Sequence, residues 1–179
     1  MDQLPVITRE YCDRLRRREA SDAAELWELL DQVRDPELPV LSIWDLGVLC
    51  DVTRENGKVA VTITPTYSGC PAMETIHSDI ERVLSEAGIS PVNIQIRLAP
   101  AWSSAWISPE GNDKLRGYGV APPADDEADA EGLTPAVGVA CPRCGSVDTR
   151  CVSEFGSTAC KALFQCNDCS EPFDYFKKI

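Results

Sequence analysis

The sequence has one histidine, His77, among 179 residues. A cysteine hydrolase needs a base beside its thiol, and a di-iron helical bundle needs two Glu-x-x-His helices. Glu74 to His77 is the one copy such a chain can hold, so neither chemistry is supported. Long apolar runs are also missing, since no stretch approaches the roughly 18 consecutive apolar residues of a membrane span. MDQLPVITRE carries neither a basic n-region nor an apolar h-region, so a cytoplasmic location with no membrane partner is expected. Positive charge is scarce. Against 29 acidic side chains stand 17 basic ones, a formal net charge of −12, and a surface of that sign repels phosphate backbones. Nucleic acid is therefore not an expected partner.

What the sequence has in quantity is cysteine, 9 residues and an odd count. In a reducing compartment such cysteines serve as metal ligands, reactive thiols or buried apolar residues more often than as disulfides. The length suits one ordinary domain plus a small one, because single domains most often run to roughly 100–150 residues.

Hydrophobic spacing supplies the elements. SDAAELWELLDQVR places Leu26, Leu29, Leu30 and Val33 at helical spacing and predicts one helix over 21–34, with Asp22 and Glu25 capping its start. The basic run at Arg14 and Arg16 to Arg18 reads as a solvated helical face. DLGVLCDVT and KVAVTITPT alternate around Glu55-Asn56-Gly57 and predict a β-hairpin, with Cys50 inside the strand core. From Pro71 to Ala87 a stripe of Met73, Ile76, Ile80, Val83 and Leu84 predicts a second helix that stops at Gly88. VNIQIRLAP alternates again, and Ser108-Pro109 opens a short helix. Trp102, Trp106 and Tyr118 suit either core packing or interface anchoring.

The expected fold class is α+β: a small α-β-β-α-β domain over 1–120 with helices on one sheet face. An acidic segment rich in proline and alanine follows at 121–138, too poor in apolar side chains to offset its ordering entropy, and reads as a linker. Residues 139–179 form the second module, a β zinc ribbon. There CPRC and CNDC present Cys141, Cys144, Cys166 and Cys169 as two knuckles. Four thiolates at about 2.3 Å close a tetrahedral shell around zinc and leave no open position, so the site folds the module rather than catalyses. Four thiolates also suit iron, as a single ion or a cluster, and spacing does not choose between them. Cys151 and Cys160, between the knuckles, are expected to be buried in the ribbon.

Cys70 stands apart. It lies in TYSGCPAM on the strand-to-helix loop, where backbone N–H groups at a helix start favour a thiolate, and a depressed pKa is expected. Gly69 permits close approach and Pro71 suits a first helical turn, so the sulfur can meet a metal, a cluster or an electrophile. Asp35 and Glu37 of DPELP, with Asp45 further on, could complete a transient metal site or could simply cap and turn the chain.

DPELPVLSIWDLGVL followed by TPTYSGCPAM resembles the family of small α/β domains that includes SufT and the MIP-type cytosolic iron-sulfur assembly proteins. Its signature falls on Asp35, Pro36 and Glu37, on Asp45, Leu46 and Gly47, and on Gly69, Cys70 and Pro71. A resemblance spanning the whole chain takes in PAWSSAWISPEGNDKLRGYGVAPP, CPRCGS, SEFGSTACKALFQC and EPFDYFK. On these the chain is similar to the PaaD family, the D components of bacterial ring-1,2-phenylacetyl-CoA epoxidase systems. That resemblance implies a non-enzymatic accessory role in phenylacetate catabolism, assisting iron-sulfur cluster insertion into the reductase component. Cys70 would be a transient cluster ligand and the zinc ribbon would recognise the client. Implied partners are the reductase and oxygenase components and the iron-sulfur assembly machinery, with a homodimer left open. The alternatives are a structural scaffold of the oxygenase complex, or a thiol redox protein pairing Cys70 with Cys160 or Cys50.

Overall fold

Thr8 starts the first helix: its hydroxyl accepts the Tyr11 N–H at 3.1 Å, and α1 then runs over Arg9–Glu19. The computed structural model describes residues 7–55, 57–123 and 138–179; most of the acidic segment and Asn56 of the expected turn lie outside them. These residues divide into two units, one ending at Gly111 and the other starting at Asn112. The architecture is α+β, a mixed helix and sheet unit followed by a cysteine-rich β region.

The helix expected over 21–34 is shorter. α2 covers Ala24–Leu30, with Ala23 at its N-cap and no side-chain cap. Ser21 Oγ takes the Ala23 N–H at 3.2 Å, a local turn that displaces the capping arrangement expected from Asp22 and Glu25. At the other end Gln32 and Val33 donate to the carbonyls of Leu29 and Leu30, tight turns that end the helix before Pro36.

The basic run is not simply a solvated face. Arg14 is buried, and its guanidinium lies 4.2 Å from the centroid of the Trp44 ring. Its Nη2 donates to the carbonyls of Trp44 at 3.0 Å and Leu49 at 3.2 Å, and its Nη1 donates to the carbonyl of Trp106. Backbone oxygens and an aromatic face replace water here, which periodicity along α1 could not reveal. Burial nevertheless depresses the Arg14 pKa to about 10.

Strand β1, Leu49–Glu55, pairs antiparallel with β2, Lys58–Ile63, which pairs parallel with β3, Val92–Ile96. Gly57 at φ 77° supplies the hairpin's positive-φ position. β1 begins later than alternation suggests, because Asp45 to Gly47 form a turn. Between β2 and β3 runs α3, Ala72–Glu86, whose stripe of Met73, Ile76, Ile80, Val83 and Leu84 is buried. Each such side chain contributes roughly 1.5–3 kcal/mol by leaving water. Gly88 at φ 76° ends the run, as expected. Trp102 is a core residue whose Nε1 donates to the Leu46 carbonyl at 3.0 Å.

Helix α4, Pro109–Tyr118, leads from the first unit into β4 of the second, Val120–Ala121. The sheet order there is β4-β7-β6-β5, with β5 over Thr149–Ser153, β6 over Lys161–Cys166 and β7 over Pro172–Phe176. β4 runs parallel to β7, matching Val120 with Asp174 and Ala121 with Tyr175. The core of this unit gathers Ala121, Val139, Ala162, Phe164, Phe173 and Tyr175 around Cys141 and Cys166. Cys160 is buried, as expected, but Cys151 is exposed. Cys151 sits on β5, the outermost strand, beside a register shift that disturbs the inward alternation.

Candidate metal sites

The two CxxC knuckles come from the loop before β5 and from the turn joining β6 to β7. Gly145, at φ 77°, closes the first knuckle by donating its N–H to the Cys141 carbonyl at 2.8 Å. The second is closed by Cys166, whose N–H reaches the Glu171 carbonyl at 3.0 Å, with Ser170 held at φ 61°. All four sulfurs lie within 4.8 Å of one another. Cys141 and Cys169 sulfurs are 3.7 Å apart, and those of Cys144 and Cys166 are 3.6 Å apart. A tetrahedron of thiolates each about 2.3 Å from zinc requires sulfur separations of about 3.8 Å, so the donors stand where the ion needs them. The Cys166 pKa is lowered to about 7, chiefly by the amide N–H groups of Cys169 and Asp168.

In the first unit, Cys70 sits on the turn entering α3. Its N–H donates to the Tyr67 carbonyl at 3.1 Å and Pro71 occupies the N-cap. The residue is half-buried, so its sulfur is neither sealed in the core nor fully in solvent. The expected depression of its pKa is corrected: the thiol is raised above its ordinary value. Burial is the largest cause, and the carboxylates of Asp35 and Glu37 add to it, outweighing hydrogen bonds from the Ala72 N–H and the Thr66 side chain. The helix start acts in the expected direction but loses to desolvation.

Asp35 and Glu37 thus act electrostatically on Cys70 although far from it in sequence. Asp35 is buried and also builds its own turn, accepting the N–H groups of Glu37 at 2.9 Å and Leu38 at 2.8 Å on Oδ1. Asp45 has structural engagements of its own: Oδ2 accepts the Ser42 N–H at 3.2 Å, and Oδ1 accepts the Ser108 hydroxyl at 2.9 Å. Two residues further, Gly47 adopts φ 79°, and a Cβ there would stand 2.8 Å from Trp106 Cβ. The aspartate-leucine-glycine signature is therefore a turn that holds the unit's loops together. Sequence reasoning misses Ser108 as a partner of Asp45, because that contact is tertiary, and Thr66 as a partner of Cys70, which lies four residues away but is set by the path of the loop rather than by any periodicity. His77 lies on α3 opposite Glu81 at 3.8 Å and joins no metal-holding cluster among the described residues.

Comparison with known proteins identifies both units. Residues 125–177 match the PaaD zinc beta ribbon domain family, and residues 23–97 match the iron-sulfur cluster assembly protein family. The chain is 49% identical over 155 residues to the putative D component of the 1,2-phenylacetyl-CoA epoxidase of Escherichia coli, covering 87% of this chain and 92% of that one. It is 35% identical over 88 residues to an Fe-S protein maturation auxiliary factor of Porphyromonas gingivalis, covering 48% of this chain and 83% of that one. Among solved structures, a domain of unknown function from Bacillus anthracis aligns with a TM-score of 0.48 and 34% identity over 51% of this chain and 89% of that one. The donor geometry and the zinc ribbon match together make the four-cysteine cluster a structural zinc site.

Proposed function

The chain belongs to the PaaD family, the D components of phenylacetyl-CoA epoxidases, and from that premise we propose that it matures the epoxidase by handing an iron-sulfur cluster to the reductase component. Cys70 takes hold of the cluster transiently, and the zinc ribbon recognises the client. The observation that carries this reading is a half-buried thiol placed within electrostatic reach of two carboxylates, Asp35 and Glu37. Without a cation, those carboxylates oppose ionisation of the sulfur, so the free protein keeps a protonated thiol. An arriving iron centre reverses that balance: it is attracted by the carboxylates and displaces the thiol proton. A ligand so easily reprotonated releases its cargo readily, unlike four thiolates that close a complete shell.

Likeness to Fe-S maturation factors supports the accessory role in iron-sulfur assembly. Asp45 joins the transient site only through the loop it organises. The test is co-production of the epoxidase components with the wild-type chain or with Cys70→Ser. The variant should yield reductase lacking its cluster absorption while the components still co-purify. Full cluster content with Cys70→Ser would exclude cargo handling at this sulfur and leave a scaffold.

A further inference from the structure

The first unit contains a cleft of about 240 Å³ whose lining includes Arg14, Arg17 and Arg97. All three guanidinium groups act on one sulfur, that of Cys50 at the cleft wall, and Arg97 hydrogen-bonds to it. The chain has 12 arginines and a net charge of −12, so acids that could match them are plentiful. Arg16, Arg18, Arg54, Arg82, Arg116 and Arg143 each pair with a carboxylate. Among the described residues, none of the three cleft arginines has an ion-pair partner. Arg14 is 6% exposed and spends its terminal nitrogens on backbone carbonyls. The Nε atoms of Arg14 and Arg97 are buried without any acceptor. Burying a cation without a counter-charge is costly, and an anion in the cleft would supply that charge.

The remaining walls indicate what kind of anion fits. Trp106 and Pro100 supply apolar surface. Glu10 and Asp13 also line the cleft, and Asp13 is engaged with Arg16 at 3.2 Å. Two acids beside the arginines penalise a dianion such as phosphate more than a monoanion. We propose that this cleft binds a small organic carboxylate, its oxygens held by Arg14, Arg17 and Arg97 and its apolar body resting on Trp106 and Pro100. The inference is independent of cluster handling at Cys70.

Calorimetric titration and thermal melting of the full chain test it, with phenylacetate, acetate and inorganic phosphate as probes. Phenylacetate should bind saturably at one site and raise the melting temperature, because it binds only the folded state. Acetate, lacking the apolar body, should bind at least about tenfold more weakly. Arg97→Gln should weaken phenylacetate at least about tenfold, while Arg97→Lys retains part of the affinity. Should Arg97→Gln fail to fold, Arg17→Gln carries the same measurement on a more exposed arginine. No saturable binding of phenylacetate, or equal binding by the glutamine variants and wild type, would overturn the proposal. Phosphate binding more tightly than phenylacetate would overturn the choice of a carboxylate.

Discussion

The Ser108 hydroxyl donates to Asp45 Oδ1 at 2.9 Å, joining two turns that are remote in sequence but both buried in the first unit. The same hydroxyl accepts the Gly111 N–H at 2.8 Å at the start of α4, while the Ser108 N–H donates to the Asp45 carbonyl at 2.8 Å. Ser108→Ala removes one donor to a buried carboxylate and one helix cap. Leaving a buried polar group short of a partner costs about 1–3 kcal/mol. Ser108→Ala should therefore lower stability by about that amount in urea unfolding, with the cluster delivered per folded molecule unchanged. If the variant instead unfolds with wild type but fails to mature the reductase, Asp45 and Ser108 act on the cargo rather than on the fold.

This pair marks where the sequence stops being legible. The stripe on α3 and the two CxxC knuckles can be read directly, because 3.6-residue periodicity and ligand spacing are local properties. Alternation makes Cys50 a strand core residue, and it is buried. Arg14 escapes such reading because its acceptors are carbonyls of Trp44, Leu49 and Trp106, none of them near it in the chain. The Gly-Cys-Pro pattern locates the Cys70 loop but not the direction of its pKa shift. That direction depends on burial and on Asp35 and Glu37, which only tertiary packing brings within reach. Cys151 defies its expected burial because period-2 alternation presumes a covered face, and an edge strand beside a register shift lacks one.

The raised Cys70 pKa has a measurable pH dependence. At neutral pH the sulfur is a thiol, and the thiolate is the form that alkylates. Iodoacetamide labelling of this residue, followed by peptide mapping, should be slower than for a free cysteine at the same pH. It should keep accelerating above the ordinary thiol range. Glu37→Gln removes a nearby negative charge, so its profile should move to lower pH, though not all the way back because burial is the larger cause. The linked effect on stability has a definite sign. A folded-state pKa above the unfolded one contributes stability below the unfolded thiol's pKa, and that contribution is lost as pH rises through the folded value. A Glu37→Gln profile shifted to higher pH would contradict this placement of the carboxylate.

Zinc removal should divide the molecule. Cys141 and Cys166 are themselves part of the ribbon's small core, 2% and 1% exposed, so the metal and the apolar packing share residues. A unit this small has little core to rely on, and structural zinc contributes roughly 10–16 kcal/mol to folding in comparable modules. Chelation of the full chain should therefore abolish protection of β5 to β7 amides in hydrogen exchange, while β1 to β3 and α3 stay protected. Cys166→Ser should do the same and bind no zinc. Cys151→Ser is the informative control, because this thiol is exposed and lies outside the four-sulfur cluster. It should retain one zinc per chain and wild-type ribbon protection. Loss of zinc from Cys151→Ser would mean that the ion draws on a sulfur other than the four gathered by the knuckles.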